Sequence, residues 1–122
     1  MTVVWIALAG AVGAPLRYVV DAHVNETIQS RFPWGTFAVN VMGSLAFGLL
    51  VGLQHDGHLA PRAVTIAGTG LCGAFTTFST HAVESVLLVE DGERRLAAYN
   101  IVSTLLTCLC AAAVGFGLAA LG

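Results

Sequence analysis

The amino-acid sequence predicts an all-α membrane protein of four transmembrane helices, the third of them broken. Three observations carry this. The 122 residues are 57% hydrophobic and only 10% charged, where an average globular chain carries roughly 25% charged residues. That is too little polar side chain to cover the surface of so small a soluble domain. Residues 32–55, 63–83 and 96–122 contain no Asp, Glu, Lys or Arg, and each run meets the roughly 20 apolar residues a helix needs to cross a bilayer. A stretch of Gly, Thr and Ser interrupts one of those runs. The same composition excludes disorder and argues against a soluble enzyme. Net charge −2 and a pI of about 6.0 argue against nucleic-acid binding.

The whole chain, 1–122, reads as one domain with spans at about 3–22, 33–54, 62–87 and 96–120, joined by short polar connections near 25–31, 55–61 and 90–95. Within the first span, Val3–Val20 is broken only by Pro15 and Arg17. No basic region precedes it, so it reads as a span rather than a signal peptide. Thr2 and the terminal Leu121-Gly122 offer no lipidation motif. Arg17 either snorkels to the interface, pairs with Asp21 four residues on, or serves a structural or entrance role. In the second span Asn40 is the informative residue, because polar groups in hydrocarbon are costly and face protein or water. A hydrogen bond to a neighbouring helix is its simplest role. Gly48 and Gly52 follow in GxxxG spacing, which favours close helix contact.

The third span is built unlike a lipid-facing helix. Gly68-Thr69-Gly70-Leu71-Cys72-Gly73 holds three glycines in six residues, followed by Thr76, Thr77, Ser79 and Thr80. Each Gly costs about 1 kcal/mol relative to Ala in a helix. The pattern predicts a break near 73–77, whose freed carbonyls coordinate a cation or line a cavity; the alternative is an intact helix whose hydroxyls bond back to their own carbonyls. In the fourth span Tyr99, Ser103 and Thr107 stand at i, i+4 and i+8, one stripe that drifts about 40° per step. The stripe supplies either donors for an anion or bonds between helices, and periodicity leaves both open.

Orientation follows the loop arginines. There is no Lys, and with four spans Arg31, Arg94 and Arg95 fall on one side while Arg62 falls on the other with both termini. The three-to-one lean puts the Arg94/Arg95 side in the cytoplasm and is shallow enough for insertion in both senses. Cys72, Cys108 and Cys110 fall within spans. Two residues apart on a helix means about 200°, so Cys108 and Cys110 do not share a metal easily, and all three read as buried small hydrophobes. His55 and His58 flank Asp56 in a connection with no further ligand nearby to complete a metal site, and read as solvated.

Taken together, the segments Gly13-Ala14-Pro15-Leu16-Arg17-Tyr18, Gly35-Thr36-Phe37-Ala38-Val39-Asn40-Val41-Met42-Gly43-Ser44, and Gly70-Leu71-Cys72-Gly73-Ala74-Phe75-Thr76-Thr77-Phe78-Ser79-Thr80, with Tyr99 and Ser103, span nearly the whole chain. In that order and spacing they resemble the Fluc (CrcB) family of bacterial fluoride channels. The resemblance implies a multi-pass protein of the bacterial inner membrane that assembles as an antiparallel, dual-topology dimer with two pores along the subunit interface. It implies a structural Na+ on the dimer axis, not transported, held by backbone carbonyls that map to Gly73 and Thr76. It implies a path for fluoride past Asn40, the ring edge of Phe78, the hydroxyls of Ser79 and Thr80, and the Tyr99, Ser103, Thr107 track. Fluoride is small and strongly hydrated, so such a pore replaces water with close donors. The positive edge of an aromatic ring and a central cation add attraction without a basic side chain that traps the ion, and conduction needs binding weak enough to release.

One position departs from the family pattern. Where Ser-Thr-Phe is usual, this chain has Ser79-Thr80-His81. His81 either contributes to the pathway with a ring N–H and a charge that varies near neutral pH, or marks a subunit with one impaired pore. The partner is accordingly a second copy of this chain or a paralogous subunit. The expected activity is passive fluoride export from the cytoplasm, reducing fluoride toxicity. One rival is a small proton-coupled multidrug exporter, which needs a mid-membrane carboxylate and has only Glu84 to use. The other is a non-conducting partner subunit of a heterodimeric channel.

Overall fold

The computed structural model describes residues 1–121. Among them there is helix and turn and no strand. Helix α1 runs Thr2–Thr27 and α2 Trp34–His55; α3 (Pro61–Thr65) continues into a π-helical segment, Ile66–Cys72, and then α4 (Gly73–Phe75); α5 spans Ser79–Glu90 and α6 Arg94–Ala119. Three helices, α1, α2 and α6, are each long and apolar enough to cross a membrane. The third expected span is the one made of pieces. Pro61 opens it at the first helical turn, where a missing N–H costs nothing. It then changes winding at Ile66 and loses helical geometry at Thr76, whose φ/ψ of −85°/163° is extended.

The observed bounds follow the expected spans with one difference. The first helix continues to Thr27 rather than ending near residue 22, through Asp21, Asn25 and Glu26. No Gly or Pro lies in residues 16–32 to stop it, and a helix has no reason to end where hydrocarbon ends. Pro15 sits inside α1, which membrane helices tolerate.

Packing is by small residues. The most extensive pairing is α2 on α6. A Cβ at Gly48 would strike the Ala112 carbonyl of α6, and one at Gly52 would meet Ala119, so the expected GxxxG face is the contact face. Helix α1 lies on the π segment and α4, where a Cβ at Gly13 would strike the Leu71 carbonyl. The buried apolar set is short and includes Phe32, Val39, Val64 and Leu88, whereas Val3, Val19, Leu105 and Leu109 face outward. That inversion fits a lipid-immersed bundle, in which lipid is as apolar as Leu and close backbone approach replaces a hydrophobic core. Arg31 and Glu93 form an ion pair at 2.9 Å, joining the α1–α2 and α5–α6 connections at one end of the bundle, as the four-span arrangement requires.

Candidate functional site at the helix break

The site is built where the third span loses its helix. Thr76 keeps the last helical bond, its N–H donating to the Cys72 carbonyl at 3.0 Å, and its hydroxyl donates to that same carbonyl at 2.9 Å. In an unbroken helix the Thr77 N–H would bond the Gly73 carbonyl. Instead it donates to Asn40 Oδ1 at 2.8 Å, while Asn40 Nδ2 donates to the Thr77 carbonyl at 3.0 Å. One buried amide on α2 thus satisfies both backbone groups of a non-helical residue, and the Gly73 carbonyl is released from its helical donor. On the far side, the Thr77 hydroxyl accepts from the Thr80 N–H at 3.2 Å, covering one of the donors that a helix start leaves open.

Three cavities surround this point. The largest, about 420 Å³, is lined by Asn40, Ser44, Thr76, Thr77, Phe78 and His81, with Ile101, Thr104, Leu105 and Cys108 from α6. No Arg, Asp or Glu lines it. Phe78 is 82% exposed and its ring centroid lies 6.3 Å from that of His81. A second cavity of about 240 Å³ is bounded by Gly43, Ser44, Gly68, Gly73 and Thr76 among others, so the two residues expected to supply carbonyls to a cation sit on one cavity. A third, about 210 Å³, takes in Arg17, Tyr18, Asp21, Thr36, Thr77 and Thr80.

Arg17 does not pair with Asp21. Its Nη1 donates to the Thr76 carbonyl at 3.4 Å, while Asp21 Oδ1 accepts from Asn25 at 3.2 Å. Glu84 accepts a hydrogen bond from the Thr36 hydroxyl and does not line the largest cavity. Ser79 is exposed at the start of α5. Cys72 is buried as expected, but Cys108 is only half-buried and Cys110 is exposed, because α6 has just one face against the bundle.

Asn40, Thr76, Phe78 and His81 therefore meet at one cavity, and Gly73 and Thr80 stand on its neighbours. The Tyr99, Ser103, Thr107 stripe lines none of the three cavities. Tyr99 is exposed and its ring lies 5.8 Å from Phe32; Ser103 donates to the Asn100 carbonyl at 3.5 Å. The adjacent stripe turns inward instead. Asn100 and Thr104 are buried, and Thr104 and Cys108 line the largest cavity. Asn100 is a polar residue inside an uncharged run, the same signal that singles out Asn40, and so was available from the sequence.

The family model described as CrcB-like protein, Camphor Resistance (CrcB), matches residues 4–116. A protein of Frankia casuarinae described as fluoride-specific ion channel FluC 1 is 47% identical over 120 residues, covering 93% of each chain. One of the same description from Streptomyces avermitilis is 47% identical over 111 residues, covering 90% of each. A fluoride-specific ion channel FluC of Magnetococcus marinus is 41% identical over 116 residues, covering 94% of each. With a family match across nearly its full length and relatives at this identity, the chain belongs to the CrcB family.

Proposed function

We propose that the chain is a subunit of a fluoride-specific channel that lets fluoride leave the cytoplasm down its own gradient. The observation that carries this is the uncharged cavity at the helix break. It offers the amide of Asn40, the hydroxyls of Ser44 and Thr77, and the ring edge of Phe78, with no carboxylate and no arginine on its wall; the Thr76 and Thr104 hydroxyls are already donated to Cys72 and Asn100. A small anion is held there by neutral donors and by the positive edge of a ring, weakly enough to be passed on. One of the two Asn40 amide protons is committed to Thr77, so the second is the one an anion would use. Names of relatives that specify fluoride support the choice of ion.

The working unit in this reading is an antiparallel dimer. The wide exposure of Phe78 and Tyr99 supports it, since both would face a second subunit placed across the break. Ser103 and Thr107 then join the pathway from the outward face of α6. Gly73 and Thr76 would supply carbonyls to a structural Na+: the Gly73 carbonyl is freed by Asn40, the Thr76 carbonyl lies at the end of the helical backbone, and both residues border one cavity. A bound Na+ would supply fixed positive charge near the pathway, and Arg17 would steady the Thr76 carbonyl from the opposite side.

The exporter alternative needs a carboxylate on the path, and Glu84 is tied to Thr36. Reconstitution in liposomes tests the proposal. Fluoride efflux driven by the fluoride gradient alone is expected, and efflux that appears only with an imposed proton gradient would favour the exporter. His81 keeps the second subunit's identity open. If this chain passes fluoride only when mixed with an inverted paralogue, the heterodimer is the working unit.

A further inference from the structure

We propose that Asn100 is a positioning residue that clamps α5 to α6 and thereby sets where Phe78 and His81 stand in the cavity. The proposal rests on the channel reading above and adds a residue to it. Asn100 is 0% exposed and, with Val39, is one of the two largest fully buried side chains among the described residues. A buried amide in a membrane helix is expensive unless its groups are bonded, and here they are. Its Nδ2 donates to Ser85 Oγ at 2.9 Å, and its Oδ1 accepts from the Thr104 hydroxyl at 3.4 Å. Ser85 in turn donates to the His81 carbonyl at 2.9 Å. Thr104 at one end of this chain and His81 at the other both line the largest cavity.

Among the described residues, helix α5 has one other side-chain bond to a neighbouring helix, Glu84 to Thr36 of α2, and depends on the clamp for its seat on α6. It buries only Ser85 and Leu88, and lipid gives no hydrophobic drive to press one apolar face on another. The residues before it, 76–78, are not helical, so α4 does not hold it in line. Phe78 immediately precedes α5 and is largely exposed, so its ring goes where the first turn of α5 goes. A site that replaces the water around a small ion needs its groups held to about 0.5 Å. An unclamped α5 widens the cavity, and discrimination between fluoride and the larger chloride falls first.

The test uses the full chain in liposomes, with N100S, S85N and the swap that carries both changes, which restores the Asn–Ser pair with the partners exchanged. Two quantities are read: hydrogen–deuterium exchange of the amides in 79–90, and the ratio of fluoride to chloride efflux. Each single substitution is expected to raise exchange across α5 and lower the efflux ratio at least tenfold. The swap is expected to bring both within threefold of the starting protein. Singles that behave like the starting protein, or a swap as impaired as the worse single, would overturn the clamp. If the singles do not fold, a folded and selective swap supports the clamp and an unfolded swap overturns it. A starting protein that passes no fluoride, alone or mixed with an inverted paralogue, overturns the channel reading alone, and exchange in α5 then decides the clamp by itself.

Discussion

Asn40 shows what a single polar side chain does in a membrane helix. Its two bonds to the Thr77 backbone stabilise an extended residue where hydrocarbon would otherwise leave both groups bare. Asn40→Ala leaves a buried N–H and C=O unpaired, at about 1–3 kcal/mol each, and is expected to cut fluoride efflux more than tenfold. Asn40→Asp keeps an acceptor for the Thr77 N–H but places a carboxylate on the cavity wall, so efflux should fall further still; efflux assays on both variants check the order. His81→Phe restores the aromatic residue usual in the family and is expected to raise efflux from a homodimer severalfold. Equal or lower efflux would make His81 a working residue of the pathway. Asn40 and His81 were legible in the sequence because each is a polar side chain inside an uncharged span, whereas Phe78 came only with the family resemblance. The inward stripe of α6 had one sign, Asn100 inside an uncharged run, but i, i+4, i+8 spacing fits the stripe at Tyr99 and the stripe at Asn100 equally well. A single residue turns the helix by 100°, and only packing against Ser85 decides between them.

At the scale of elements, the break itself was readable. Glycines followed by hydroxyls make a poor helix, and the expected interval of 73–77 overlaps the non-helical stretch 76–78. The π-helical winding over Ile66–Cys72 was not, because it arises when the chain shifts its bonds by one residue and carries no residue pattern of its own. The overrun of α1 to Thr27 was hidden for a related reason: charge marks the edge of hydrocarbon, whereas helices stop at breakers and caps. Close packing of α2 on a neighbour was legible in the Gly48 and Gly52 spacing; that the neighbour is α6 was not. Gly48→Val would push a side chain into the Ala112 backbone, and overpacking of this kind costs about 1–3 kcal/mol. A lowered thermal unfolding midpoint in detergent, with no compensating change from Gly117→Ala, where nothing crowds the glycine, is the expected result.

For the whole molecule, the shortage of charge sets the architecture: an apolar exterior, a small buried core and polar groups gathered at one discontinuity. The shallow Arg asymmetry suits a chain that inserts in both senses or faces an inverted relative. If a Na+ on the Gly73 and Thr76 carbonyls ties two such subunits together, exchange of all Na+ for a large organic cation should abolish efflux and weaken the dimer, and returning Na+ should restore both. Efflux unchanged across that exchange would remove the ion from the account.

The most direct test of the central claim is fluoride efflux from liposomes holding the purified chain, with no pH gradient and the charge balanced by a potassium ionophore. The account predicts rapid release of fluoride with chloride retained, from this chain alone or together with an inverted relative. Retention of fluoride in both preparations, or release that requires a proton gradient, would contradict it.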